Sequence, residues 1–331
     1  MSSGINRRTF VKGTLLTPLA GSLALNSAAN QAHAKDNADD SAKRNESSTT
    51  TNLLPKGKIG HLEISRMLLG GNLLTHYTHS RDLKYVYKLA ANYNTEEKIL
   101  ETLALAETYG INTLSIHTVP WSMRILQKHR NRGGKMQWII CPTAPVTADM
   151  NEYTEQVRQL LADGADAIYL WGVHSDKLVK NQQVDLIAKA VDVVRDFGAL
   201  SGVGAHDLNV IKACEENKIE ADFYIKTMHH HNYPTAPKPD QLEKPYNEIP
   251  GYWCNNPQNV IDVMKSVTKP WIAFKVLAAG AIPPKSGFEY SFRNGADFIL
   301  AGMFDFEIKE DANIVKNLLE MDLNRARPWR G

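Results

Sequence analysis

Ala167-Ile168-Tyr169-Leu170-Trp171-Gly172-Val173-His174 runs apolar for most of its length and then stops at an imidazole. Thr113–His117 (TLSIH), Leu200–His206 (LSGVGAH) and Phe223–His231 (FYIKTMHHH) end the same way. Helix-like stretches separate these runs, which is the alternation of a parallel α/β sheet. Working outward, eight strands are expected: Ile64–Gly71, Thr113–His117, Trp138–Thr143, Ala167–His174, Leu200–His206, Asp222–His229, Trp271–Leu277 and Asp297–Met303. Helices are expected over Thr95–Tyr109, Glu152–Ala162, Lys177–Phe197, Leu208–Asn217, Asn256–Val267, Gly287–Asn294 and Asp311–Leu319. In the first of these, Ile99, Leu103 and Ala106 fall on one face and Gly110 follows as a stop. The pattern predicts an α/β protein, a (β/α)8 TIM barrel, with an open doubly wound sheet as the alternative. Barrel strand ends of one kind share a rim, and the carboxyl-terminal rim is where active sites form. Imidazoles far apart in sequence would converge there.

The beginning of the chain predicts where it works. Arg7 and Arg8 stand within Asn6–Lys12, a moderately apolar run follows over Thr14–Leu25, and Ala32-His33-Ala34 fits a small-residue cleavage site. This order of charged, apolar and small-residue regions resembles a twin-arginine export signal over residues 1–34. The translocation machinery that reads such signals is then a partner, and the mature protein is expected in the periplasm or secreted. Residues 35–52 are polar and charged, nearly free of large apolar side chains, and read as a disordered linker. Residues 53–331 are the expected barrel domain.

Composition narrows the classes. A net charge of +2 and the lack of a basic stripe with interleaved aromatics argue against a nucleic-acid partner. No run approaches ~20 uninterrupted apolar residues, so no membrane span is expected in the mature form. Cys141, Cys214 and Cys254 are odd in number and widely spaced, which does not suit a disulfide framework.

Two connections on the predicted rim are long. Leu73–Asn94 holds four tyrosines and two histidines, and Asn232–Asn255 is proline-rich and ends in an aromatic pair before Cys254. Loops longer than ~12–15 residues are usually functional lids or disordered, and aromatics in them suit stacking on an apolar or sugar-ring face. Asn72, Tyr233, Tyr252 and Trp253 are accordingly candidates for substrate binding, with a carbohydrate among the small molecules considered.

A family likeness emerges from several stretches. Lys58–Gly71 (KIGHLEISRMLLGG) is similar to the opening of aldo/keto reductases, and Ala104–Thr118 (ALAETYGINTLSIHT) resembles that family's second-strand motif. Ala167–His174 resembles the strand bearing the family's active-site histidine, and Ser201–His206 a later glycine-bearing strand. The resemblance covers most of residues 58–319 and implies the same barrel. It implies much less chemistry. Where the family has its aspartate this chain has Ser115, where it has its tyrosine Pro120, and Cys141 or Thr143 stands in for its lysine; His174 alone matches. The family's basic cluster after the last strand is replaced by Phe304-Asp305-Phe306-Glu307, which would repel a dinucleotide phosphate. NADP is therefore the less favoured cofactor.

What remains on the expected rim is His117, His174, His206, His229 and His231. Several neutral imidazoles around one open position would suit a divalent ion, zinc or another first-row metal, polarising a carbonyl or lowering the pKa of its water. Lys275, read as mid-strand in Trp271–Leu277, must pair, line the lumen or lose its proton. It is a candidate Schiff-base nucleophile or general base, with Asp305 on the neighbouring strand as its candidate partner. The expected catalytic group is thus Lys275, His174 and Asp305. The function expected first is a metal-dependent isomerase, lyase or hydrolase acting on a polyhydroxylated or carbonyl small molecule. The alternatives are a nicotinamide oxidoreductase with a rebuilt site and a non-catalytic metal or sugar binding protein.

Overall fold

A tight antiparallel hairpin comes first, β1 (Lys56–Ile59) and β2 (Leu62–Ser65), in register Ile59 with Leu62. Its turn is possible because Gly60 adopts φ 55°, a left-handed conformation that costs glycine little. Ile59, Leu62 and Ile64 pack with Leu68, Ile139, Ala167, Phe223 and Phe298, which are the first inward side chains of the barrel strands. The hairpin therefore plugs the amino-terminal end of the barrel. This computed structural model describes residues 53–80, 83–238, 240 and 254–331. The expected export signal and linker, together with Tyr252 and Trp253, lie outside the described residues.

Eight parallel strands follow: β3 (Met67–Gly70), β4 (Thr113–His117), β5 (Gln137–Cys141), β6 (Ala167–Leu170), β7 (Leu200–Ala205), β8 (Phe223–Thr227), β9 (Trp271–Phe274) and β10 (Phe298–Ala301). They are hydrogen-bonded in chain order and close through β10 against β3, so the expected barrel is the observed one. Such strands are covered on both faces, which is why they read as apolar runs rather than as alternations. Inward residues fill the lumen while Leu114, Ile116, Trp138, Ile140, Tyr224 and Trp271 point outward to the helices. Each fully buried side chain of this kind contributes roughly 1.5–3 kcal/mol.

The helices are α1 (Tyr85–Tyr93), α2 (Glu96–Thr108), α3 (Pro120–Asn131), α4 (Asn151–Ala162), α5 (Gly172–Lys180), α6 (Val184–Asp196), α7 (Leu208–Glu216), α8 (Pro257–Ser266), α9 (Pro284–Arg293) and α10 (Asp305–Leu319). Local chemistry sets their ends. In α2 the Thr95 hydroxyl accepts from the Lys98 N–H (3.3 Å), Glu96 and Glu97 occupy the first turn, and Gly110 at φ 84° closes the last. There the Gly110 and Ile111 N–H groups donate to Glu107 and Ala106, the glycine-terminated ending the sequence announces.

Several expected boundaries move. The run ending at His174 stops being a strand at Leu170, because α5 begins at Gly172 and carries His174 in its first turn. The run ending at Leu277 stops at Phe274, because Lys275 turns left-handed at φ 59°. Lys275 is thus a strand-end residue and not a mid-strand one. Helix α3, started by Pro120 in its first turn, and α1 inside the long first connection were not expected, and Lys177–Phe197 is parts of two helices. No helix among the described residues is long and apolar enough to cross a membrane.

The candidate site at the carboxyl-terminal rim

Strand alternation decides what faces the mouth. On β4 it turns Ser115 and His117 inward, on β5 Cys141, on β6 Tyr169, and on β9 Phe274, while Gly202 and Gly204 let neighbouring atoms close on β7. A Cβ at Gly204 would stand 2.9 Å from the Gly172 nitrogen and the Leu170 carbonyl oxygen and 3.2 Å from Tyr169 Cδ2, so the glycine permits a close approach of the end of β6. The Tyr169 hydroxyl stands beside Ser115 and Cys141, and burial holds its proton on. His206 continues the inward side of β7 one residue past its end, tilted over the Phe274 ring with centroids 5.4 Å apart.

His206 is held by Asp176 from α5. The His206 Nδ1–H donates to Asp176 Oδ2 at 2.7 Å, and Asp176 Oδ1 accepts the His206 and Asp207 N–H groups at 3.1 and 3.0 Å. That pairing assigns the tautomer, with the proton on Nδ1 and the lone pair on Nε2. Burial lowers the His206 pKa, and the Asp176 carboxylate opposes that shift.

Lys275 meets this pair from β9. Alternation after the inward Phe274 would turn the next side chain outward; the left-handed turn at Lys275 redirects it. Its Nζ lies 3.1 Å from His79 Nε2. Burial drives the lysine pKa well below the ordinary range, with Asp176 as the opposing charge. His79 is lowered to about 3 by burial, then by Lys275, His206 and His117, whose fields all reach it. Burial thus biases both groups against carrying charge, and Lys275 Nζ is placed to donate an N–H to the imidazole lone pair. His117 joins from the end of β4 with its own pKa lowered by burial. Tyr77 stands edge-on to both His79 and His117, with centroids 5.5 and 5.7 Å away.

The structure thus gathers Lys275, His206 and His117 among the expected residues and adds His79, Asp176 and Tyr77. The others lie elsewhere. His174 packs against Trp171 (centroids 5.3 Å apart) at the start of α5. Asp305 is not the partner of Lys275; it accepts from Tyr93 Oη at 2.6 Å and pairs with Lys98 Nζ at 3.2 Å. His229 is fully buried, with its pKa lowered to about 3 chiefly by burial, and His231 Nε2–H donates to the Cys254 carbonyl at 2.6 Å. Tyr233 is buried with Ala278 and Ile282 beneath the Lys275 turn, where it supports the turn. The Asn72 carbonyl accepts the Tyr77 N–H at 2.8 Å and shapes the first loop.

Among the described residues no group of three or more His, Cys, Asp or Glu side chains stands so as to hold a metal ion. The expected ligand set is divided: His117 and His206 reach the Lys275 group, whereas His174 lies on a helix, His229 is fully buried and His231 is held on the Cys254 carbonyl. A dinucleotide phosphate is no better served. The first turn of α10 carries Asp305 and Glu307, and Glu307 Oε2 itself takes the Phe304 N–H at 2.8 Å.

No family model and no curated protein matches the chain. Among solved structures it is similar to a chain named "Putative aldo-keto reductase from Pseudomona aeruginosa", with a TM-score of 0.53 and 15% identity, over 80% of this chain and 94% of that one. At that identity the likeness shows a shared aldo-keto reductase-like barrel and no chemistry.

Proposed function

We propose that the chain is a carbonyl-active enzyme of lyase or isomerase type, working on a small polyhydroxylated carbonyl compound through the amine of Lys275. The observation that carries this reading is the buried Lys275 Nζ, 3.1 Å from His79 Nε2 at the barrel mouth, where desolvation favours the unprotonated amine. An unprotonated amine adds to a carbonyl carbon; loss of water from the adduct then leaves an imine, which takes up a proton as the iminium. The iminium draws electrons from the neighbouring carbon, so that a C–H or C–C bond there breaks more readily. His206, oriented by Asp176, supplies the base, and His79 accepts a hydrogen bond from the amine and orients it. The functional group is then Lys275, His79, His206 and Asp176, with His117 beside it. The proposal is preferred to the metal-centred reading because only His117 and His206 of the five imidazoles expected as ligands meet here, and they meet around an amine.

The test is reductive trapping. Full-length protein incubated with dihydroxyacetone or pyruvate and borohydride should gain one substrate-derived mass, mapped to the peptide containing Lys275. Labelling spread over surface lysines, unchanged in Lys275→Met, contradicts the proposal. We further propose that the protein is exported by the twin-arginine route, on the strength of Arg7-Arg8 and the order of the segments after them. Replacing both arginines by lysine should hold the precursor in the cytoplasm, and normal export of that variant refutes it.

A further inference from the structure

The loop after β3 places a large aromatic side chain where neither the fold nor the acid–base group requires one. We infer that Tyr77 is the substrate-facing wall of the Lys275 site and selects carbonyl compounds that carry a ring with a flat apolar face. The inference rests on the amine reading above and adds the class of substrate to it.

An exposed tyrosine alone means little, since single apolar groups on a surface are normal. Three observations set this one apart. First, Tyr77 is 56% exposed although it stands edge-on to two imidazoles of the site, His79 at 5.5 Å and His117 at 5.7 Å. Its ring therefore borders the site and is more than half exposed. Second, its position is imposed. The preceding His76 takes φ 61°, an unfavourable conformation for a residue with a Cβ. It is kept there by His76 Nε2–H donating to the Asn94 carbonyl at 2.8 Å and by its ring on Trp121 at 4.8 Å. The Tyr77 N–H is fixed in turn on the Asn72 carbonyl at 2.8 Å. Strain held by that many contacts is characteristic of binding sites. Third, the chemistry beside it is complete without it. Lys275, His79 and the His206–Asp176 pair can carry addition and proton transfer, so Tyr77 is left to position the substrate. An aromatic wall recognises a flat C–H or π face, offered by a pyranose ring or an aromatic ring alike.

The test separates this inference from the amine reading by using ligands that cannot form an imine. Benzyl alcohol and methyl β-glucoside are titrated into full-length protein while the imidazole C–H signals of His79 and His117 are followed by NMR. At least one ring compound should shift both signals saturably; glycerol, which has no ring, should not. Tyr77→Phe should bind as wild type, and Tyr77→Ala about fivefold to tenfold more weakly. The two probes also tell a sugar preference from an aromatic one. Equal binding to Tyr77→Ala and wild type, or no shift with either ring compound, overturns the inference. Separately, benzaldehyde and propanal are trapped with cyanoborohydride. Failure of both to label Lys275 sinks the amine reading while leaving the NMR result to judge Tyr77.

Discussion

Lys275 Nζ lies 3.1 Å from His79 Nε2, an amine from the end of the seventh barrel strand against an imidazole from the loop after the first. The two are 196 residues apart in sequence, and burial lowers the pKa of both. A protonated lysine would repel a protonated histidine, and burial opposes charge on both. The mouth of the barrel thus holds a buried amine and a buried imidazole that are both biased away from charge.

Lys275→Met should abolish amine-dependent trapping without loss of stability. The aliphatic stem is retained, the left-handed turn is no worse for Met than for Lys, and the cost of desolvating an amine disappears. The melting temperature should match or exceed that of wild type. A fall of several degrees would show that the amine supports the fold.

Acid should weaken the fold through its buried imidazoles. His79 and His229 are each lowered to about 3, whereas unfolded rings titrate at about 6.5. Between those values the unfolded chain binds more protons, so stability falls as pH drops through that window, by up to ~1.4 kcal/mol per pH unit per ring. Asp311 acts with the opposite sign: burial raises its carboxyl to about 7, so it keeps its proton in the fold and adds stability as pH falls below that value. Urea midpoints at pH 7 and pH 5 should differ, and the difference should shrink in His229→Leu. Parallel pH dependences in the two proteins would count against a neutral His229.

Asp176→Asn should disturb His206 before it disturbs the barrel. Asp176 accepts from the His206 ring and from two backbone N–H groups. The amide keeps one acceptor oxygen but removes the charge that supports the imidazolium. The expected cost is roughly 1–3 kcal/mol, with a further drop in the His206 pKa. A histidine NMR titration checks the second point; an unmoved His206 would contradict the pairing.

The opposite end of the barrel should behave differently. Asp297, fully buried, pairs with Arg327 Nη2 at 3.0 Å and takes the Trp271 and Arg330 N–H groups at 2.9 and 2.8 Å. Asp297→Ala leaves buried guanidinium groups uncompensated and should cost about 3–5 kcal/mol. At a temperature where the variant is still folded, trapping at Lys275 should be unchanged, because the amino-terminal face of a barrel serves stability.

The strands were legible because both of their faces are buried, so that Trp138–Cys141 or Trp271–Phe274 reads as an unbroken apolar run. What the runs could not reveal was where the backbone leaves the extended region. Lys275 turns at φ 59° with no glycine to announce it, and that turn ends the strand and brings to the rim a side chain that alternation would have turned outward. His174 looked like a strand end because Trp171-Gly172-Val173 is nearly apolar, yet Gly172 already begins a helix. His117 and His206 were identified from their place at the ends of such runs. His79 was missed because it sits in a loop without periodicity, and Asp176 because a helical carboxylate two residues past an expected ligand carries no distinguishing pattern. The helix at Pro120 had a signal, a proline followed by Met123 and Leu126 at helical spacing, that went unread.

The central claim is that Lys275 presents a neutral amine at ordinary pH. It is tested most directly by the pH dependence of its reaction with salicylaldehyde, whose imine absorbs in the visible, measured on wild type and Lys275→Met. The account predicts a single fast site, absent from the variant, whose rate reaches its plateau well below the ordinary lysine value of about 10.5. A rate that rises only as that value is approached, in wild type and variant alike, would contradict it.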